Sequence, residues 1–80
     1  MTNNEKYDGA FCEVLSLTKE DLGPSLEYNS VESWDSIGHM SLIAELEDVW
    51  SISFETDDII DFSSYEHGKT ILRKYDIDIE

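Results

Sequence analysis

Apolar residues recur at helical spacing in four stretches of the chain and lose that spacing between them. Tyr7, Phe11, Val14 and Leu15 share one helical face, and Thr2 with Glu5 three residues on forms a capping-box signature, so a first helix is predicted over 3–16. Gly9 weakens that helix by roughly 1 kcal/mol relative to Ala, or permits close packing against a neighbour. The pattern then fades over 17–35, where Gly23-Pro24 breaks any continuous helix. This is a long first loop, with a single helical turn over 18–22 and Leu22, Leu26, Val31 and Trp34 to pin it down.

The clearest helix opens at Asp35-Ser36 and runs to about Trp50, turning Leu42, Ile43, Leu46, Val49 and Trp50 inward. Ile37, Met40 and Ala44 form a second apolar stripe with no evident partner, which suits a docking surface. A connection over 51–55 leads to a short helix over 56–61 that buries Ile59 and Ile60, flanked by Phe54 and Phe62. Ser63 and Glu66 form a further capping-box signature, and Tyr65, Gly68, Ile71, Leu72 and Tyr75 carry a last helix to about Tyr75. Lys69, Arg73 and Lys74 sit where its dipole favours cations. The expectation is an all-α four-helix bundle, three longer helices and one short one, with its core over 3–75 and a frayed tail over 76–80.

Length narrows the function. Eighty residues make one domain, and at that size folding buries only about 60% of the surface the unfolded chain exposes. So small an interior disfavours a self-sufficient enzyme and favours a carrier or binding module. Nineteen acids against five bases give a net charge of −14, with no Lys or Arg between Lys19 and Lys69. Such a surface repels nucleic acid and anionic lipid and attracts basic partners. The self-repulsion also predicts a fold that added salt stabilises, read as a rise in melting temperature. With 40% apolar residues the chain is not of the disordered acidic class. No apolar run approaches a signal or membrane-spanning segment, and the single Cys12, which reads as a small buried hydrophobe, makes no internal disulfide; both suit a cytoplasmic monomer.

Little in the sequence reads as catalytic. His39 and His67 are too few for a zinc site, and Asp57, Asp58 and Asp61 lack the spacing of a calcium loop. His39 lies three residues beyond Ser36 with no acid evidently placed to orient it, so no hydrolytic triad is expected. Ser36 instead stands in the first turn of a helix capped by Asp35, where backbone N–H groups and the dipole stabilise an attached phosphate by about 0.3–1 kcal/mol.

The run Trp34-Asp35-Ser36-Ile37-Gly38-His39-Met40 resembles the attachment motif of the acyl and peptidyl carrier proteins, and the resemblance extends from about Tyr7 to Tyr75 in helix order, loop length and the acids Glu45, Glu47 and Asp48. It implies that Ser36 receives 4'-phosphopantetheine from coenzyme A through a magnesium-dependent phosphopantetheinyl transferase, and that the chain then carries acyl groups as thioesters without turning anything over itself. It also implies that loading ligases, synthases and acyl transferases dock basic patches on Glu45, Glu47 and Asp48 around Ile37, Met40 and Ala44. Gly38 and Ser41 stand where carriers of fatty acid synthesis commonly have acids, and Trp34 replaces a small or aliphatic residue. Polyketide, nonribosomal peptide, sugar-acylation and D-alanylation chemistry therefore stay open, including an aminoacyl or peptidyl cargo. An acidic helical interaction module with no arm is the alternative of another class. Leu46, Phe54, Ile59, Ile60 and Phe62 are candidates to line a sheltering gap for cargo, although so aromatic an interior leaves limited room.

Overall fold

The computed structural model describes residues 2–79 and contains four α-helices and no strand among them: α1 (Asn3–Leu15), α2 (Ser36–Trp50), α3 (Thr56–Asp61) and α4 (Tyr65–Arg73). A single 3₁₀ turn, Lys19–Asp21, interrupts the long loop between α1 and α2. Thr2 and Glu5 form the expected reciprocal capping box at the start of α1. Asp35 caps α2, its Oδ1 accepting the Gly38 N–H at 2.8 Å.

Two helices and the chain after α4 end in the same way. Ser16, Ser51 and Asp76 adopt left-handed φ values of 55°, 54° and 63°. The following residue, Leu17, Ile52 or Ile77, returns its N–H to the carbonyl five positions back, on Cys12, Glu47 or Leu72. This satisfies a carbonyl that a helix end would otherwise orphan and folds an apolar side chain back onto the helix.

Phe11 is the hub of the core. Its ring meets Tyr7 at 4.9 Å, Tyr65 at 5.3 Å, Trp34 at 5.4 Å and Phe62 at 6.2 Å, joining α1 to the loop, to the residue after α3 and to α4. The offset and edge-on geometries are those aromatic quadrupoles favour. Tyr7 is fully buried and donates its hydroxyl to the Tyr65 carbonyl at 2.6 Å, while the Tyr65 hydroxyl donates to Asp8. Burial pushes both phenols well above the ordinary tyrosine range, so they remain donors at any pH the fold meets. Gly68 lets α4 settle on these rings, since an added Cβ would collide with Phe62 and with the Tyr7 hydroxyl.

Several expectations change. Ile60 is 71% exposed, because a six-residue helix buries one side only and Asp58 and Ile59 take it. Val49 and Trp50 are half-buried, the Trp50 indole N–H reaching Asn3 Oδ1 at 3.2 Å. α4 is capped by Ser64, which accepts the His67 N–H, and not by Ser63. The loop accounts for that shift: Tyr28 N–H donates to Ser63 O at 2.8 Å and Tyr65 N–H donates to Leu26 O at 2.9 Å, holding the segment extended until Ser64. α4 ends at Arg73, with Lys74 and Tyr75 in the turn beyond. The tail does not fray over its described part: Ile77 and Ile79 are buried, and Asn3 Nδ2 donates to the Asp78 carbonyl at 3.2 Å. Alternation of acid and Ile places each Ile inward and each Asp outward.

The glycines give opposite expected outcomes. Gly68→Ala, forced against two rings, lowers stability by about 1–3 kcal/mol or more. Gly9→Ala, on an exposed stretch of α1 where the new methyl meets nothing within 4 Å, raises it by about 0.5–1 kcal/mol. Urea titration of both variants measures this, and an unchanged midpoint for Gly68→Ala would contradict the tight α4 contact.

Candidate functional site

Ser36 is the first residue of α2 and is exposed. Asp35 takes the Gly38 N–H and its carbonyl takes the His39 N–H at 2.7 Å, while the N–H groups of Ser36 and Ile37 have no intrahelical partner, as first-turn amides do not. The long loop crosses directly over this turn. The Ser33 carbonyl oxygen occupies the place where a Cβ on Gly38 would stand, and Ser33 Oγ donates to the Leu15 carbonyl at 2.7 Å. Gly38 is therefore a packing requirement of this loop.

Trp34 follows from the same crossing. It is fully buried, and its indole N–H donates to His39 Nδ1 at 2.9 Å. An indole N–H only donates, so Nδ1 is the acceptor; Nε2 then carries the proton and donates to the Ile59 carbonyl at 2.8 Å. The two rings stack at 6.1 Å and 18°. Both imidazole nitrogens are thus committed to the bridge from loop to α2 to α3, and neither faces Ser36 as a base.

Ser36 has one side-chain neighbour of its own kind: the Tyr28 phenol oxygen lies 3.1 Å from its Oγ. Sequence reasoning missed Tyr28, eight residues upstream in an irregular loop where no periodicity marks it. Beside the pair opens a groove of about 310 Å³ between the start of α2 and α3, walled by Tyr28, His39, Met40, Ile59, Ile60 and Phe62. That volume is at the small end for ligand sites. The gap expected among Leu46, Phe54, Ile59, Ile60 and Phe62 is displaced outward: Leu46 and Phe54 belong to the filled core, and the groove lies on the Ser36 side.

The predicted docking residues divide. Ile37 (79% exposed), Met40 (56%) and Ala44 lie on the open face of α2 with Asp48. Glu47 is half-buried, and its Oε2 accepts the Phe54 N–H at 2.8 Å, so it serves the α2–α3 connection. Glu45 turns toward α1, beside a separate cleft with Lys6, Glu13 and Val49. Elsewhere, Cys12 is half-buried, and burial followed by the Asp8 charge raises its thiol pKa. No cluster of three potential metal ligands occurs among the described residues, and no helix among them is long and apolar enough to cross a membrane.

α3 is held from its far side as well. Asp58, only 5% exposed, accepts Lys74 Nζ at 2.8 Å and the Tyr75 hydroxyl at 2.5 Å, and Tyr75 Oη accepts the Glu55 N–H at 3.0 Å. No family model, no curated protein and no solved structure matches the chain.

The Asp58 cluster gives a pH dependence. The bond from Lys74 and then that from Tyr75 hold the Asp58 carboxyl below the ordinary aspartate value of about 3.9. Its contribution is therefore fully present above that value and disappears as pH falls through the folded pKa. Wild type should exceed Asp58→Asn in urea midpoint at neutral pH, with the gap closing under acid; a gap that does not change with pH would contradict the ion pair as its source.

Proposed function

We propose that this chain is a carrier protein whose Ser36 hydroxyl is esterified with 4'-phosphopantetheine from coenzyme A and which presents acyl groups as thioesters on that arm. The observation that carries the reading is Ser36 itself: an exposed hydroxyl on the first residue of a capped helix, beside a small apolar groove, with the nearest imidazole occupied on both nitrogens. That setting offers the hydroxyl to an outside enzyme and leaves its activation to that enzyme. A phosphodiester at Ser36 gains about 0.3–1 kcal/mol from the helix end, and a long arm keeps the cargo at high effective concentration near each docked enzyme. In the loading step Ser36 Oγ forms the new bond to phosphorus, the pyrophosphate bridge of coenzyme A breaks, the nucleotide portion leaves, and the serine proton passes to a base on the transferase.

The resemblance of residues 34–40 to the carrier attachment motif supports the same reading, as do the four-helix order and the long first loop. Exposed Ile37, Met40 and Ala44 with Asp48 alongside provide an apolar seam with an acidic edge for transferases, ligases and synthases that carry basic patches. Glu47, whose carboxylate holds the Phe54 N–H, and Glu45, which faces the cleft beside α1, contribute charge to that field more than contact. An aminoacyl or peptidyl cargo uses the same attachment chemistry. A second reading, an interaction module without an arm, draws on one specific observation: Ile37, Met40 and Ile60 form an exposed apolar patch on a chain of net charge −14.

Incubation with coenzyme A, magnesium and a broad-specificity phosphopantetheinyl transferase separates the two. Intact mass should rise by one phosphopantetheine in wild type and stay unchanged in Ser36→Ala. A wild-type mass that does not move favours the interaction module.

A further inference from the structure

The fold posts the Tyr28 phenol beside Ser36. Its backbone N–H is tied to the Ser63 carbonyl at 2.8 Å, next to the Glu27–Ser64 bridge. Asn29 then turns the chain at a left-handed φ of 67°, its N–H bonded to the Trp34 carbonyl at 2.9 Å. The ring meets His39 at 5.5 Å and Trp34 at 6.4 Å, both edge-on, and remains 37% exposed. Among the described residues its hydroxyl has a single polar partner, Ser36 Oγ. The interior has no use for this oxygen, and Phe would pack the same way.

Two hydroxyls at 3.1 Å share one hydrogen bond in which either can donate. Esterification removes the Ser36 proton, so afterwards only Tyr28 can donate. It also brings charged phosphodiester oxygens, two bonds beyond Oγ, which accept more strongly than a hydroxyl does. One methylene beyond the phosphate ester, pantetheine has a carbon bearing two methyl groups, and the groove that Ser36 lines also offers exposed Met40 (56%) and Ile60 (71%). We infer, resting on the carrier reading above, that Tyr28 is a positioning residue for the arm: its hydroxyl holds the phosphodiester while the geminal methyls lie on Met40 and Ile60. The root of the arm is then fixed in direction, leaving the surface along the α2–α3 groove, and only its distal part swings.

The test compares loaded wild type with loaded Tyr28→Phe, after intact mass has established loading. In wild type the phosphorus-31 resonance is displaced from its position in the same loaded protein unfolded in urea, and the geminal methyls show nuclear Overhauser contacts to the Met40 and Ile60 methyls. In Tyr28→Phe the phosphorus resonance moves back toward the urea position. Coincident phosphorus resonances in the two folded, loaded proteins, or wild type without those methyl contacts, overturn the inference while the carrier reading stands. A wild-type mass unchanged by the transferase overturns the carrier reading, and the inference with it. Should Tyr28→Phe fail to fold, the wild-type methyl contacts decide the question without it.

Discussion

An indole N–H taken out of water must find an acceptor, and the way Trp34 finds one organises half of this molecule. A buried donor left unpaired costs about 1–3 kcal/mol. The imidazole of His39 relieves that cost and passes the bond on to the Ile59 carbonyl, so that the end of the long loop, the first turns of α2 and the short α3 are held by one continuous chain of donors and acceptors. Two of these pieces have little regular structure of their own: the loop is irregular, and α3 has six residues. The groove beside Ser36 exists because these pieces are kept at this separation, with the Asp58 cluster holding α3 from behind.

Charge is arranged to the same end. Lys74 pairs with Asp58, Lys69 with Glu66 and Arg73 with Asp78, so three of the five bases are spent on or just after α4. Only the Asp58 pair involves a buried partner; the other two are surface contacts of small energetic weight. The opening of α2 lies in the stretch without Lys or Arg, and its negative field is uncompensated by side chains nearby in sequence. A positively charged body nearing this face would feel that field at long range, ahead of any contact with exposed Ile37 and Met40.

Much that rests on a period or a local signature was legible. α2 and α3 have the expected bounds, the Thr2–Glu5 box forms, and Ser36 stands at a capped helix start because all three rest on contacts within one turn. What was not legible depends on contacts distant along the chain. Ser64 and not Ser63 caps α4 because the loop pairs with the residues before it. Gly38 reads as a departure from a motif until the Ser33 carbonyl is seen filling its missing side chain. Glu47 looks like surface charge until Phe54 turns its N–H toward it, and Ile60 looks like core until the shortness of α3 is taken into account. Tyr28 carries no local signal at all.

The left-handed residues Ser16, Ser51 and Asp76 occupy a conformation that costs an L-residue roughly 1–2 kcal/mol and that glycine adopts freely. Because none is glycine, the chain retains thermal headroom at three sites outside α2's first turn. Part of that reserve would be offset by the greater freedom glycine gives the unfolded chain. This small, heavily acidic bundle is thus folded short of the stability its own chain path would allow.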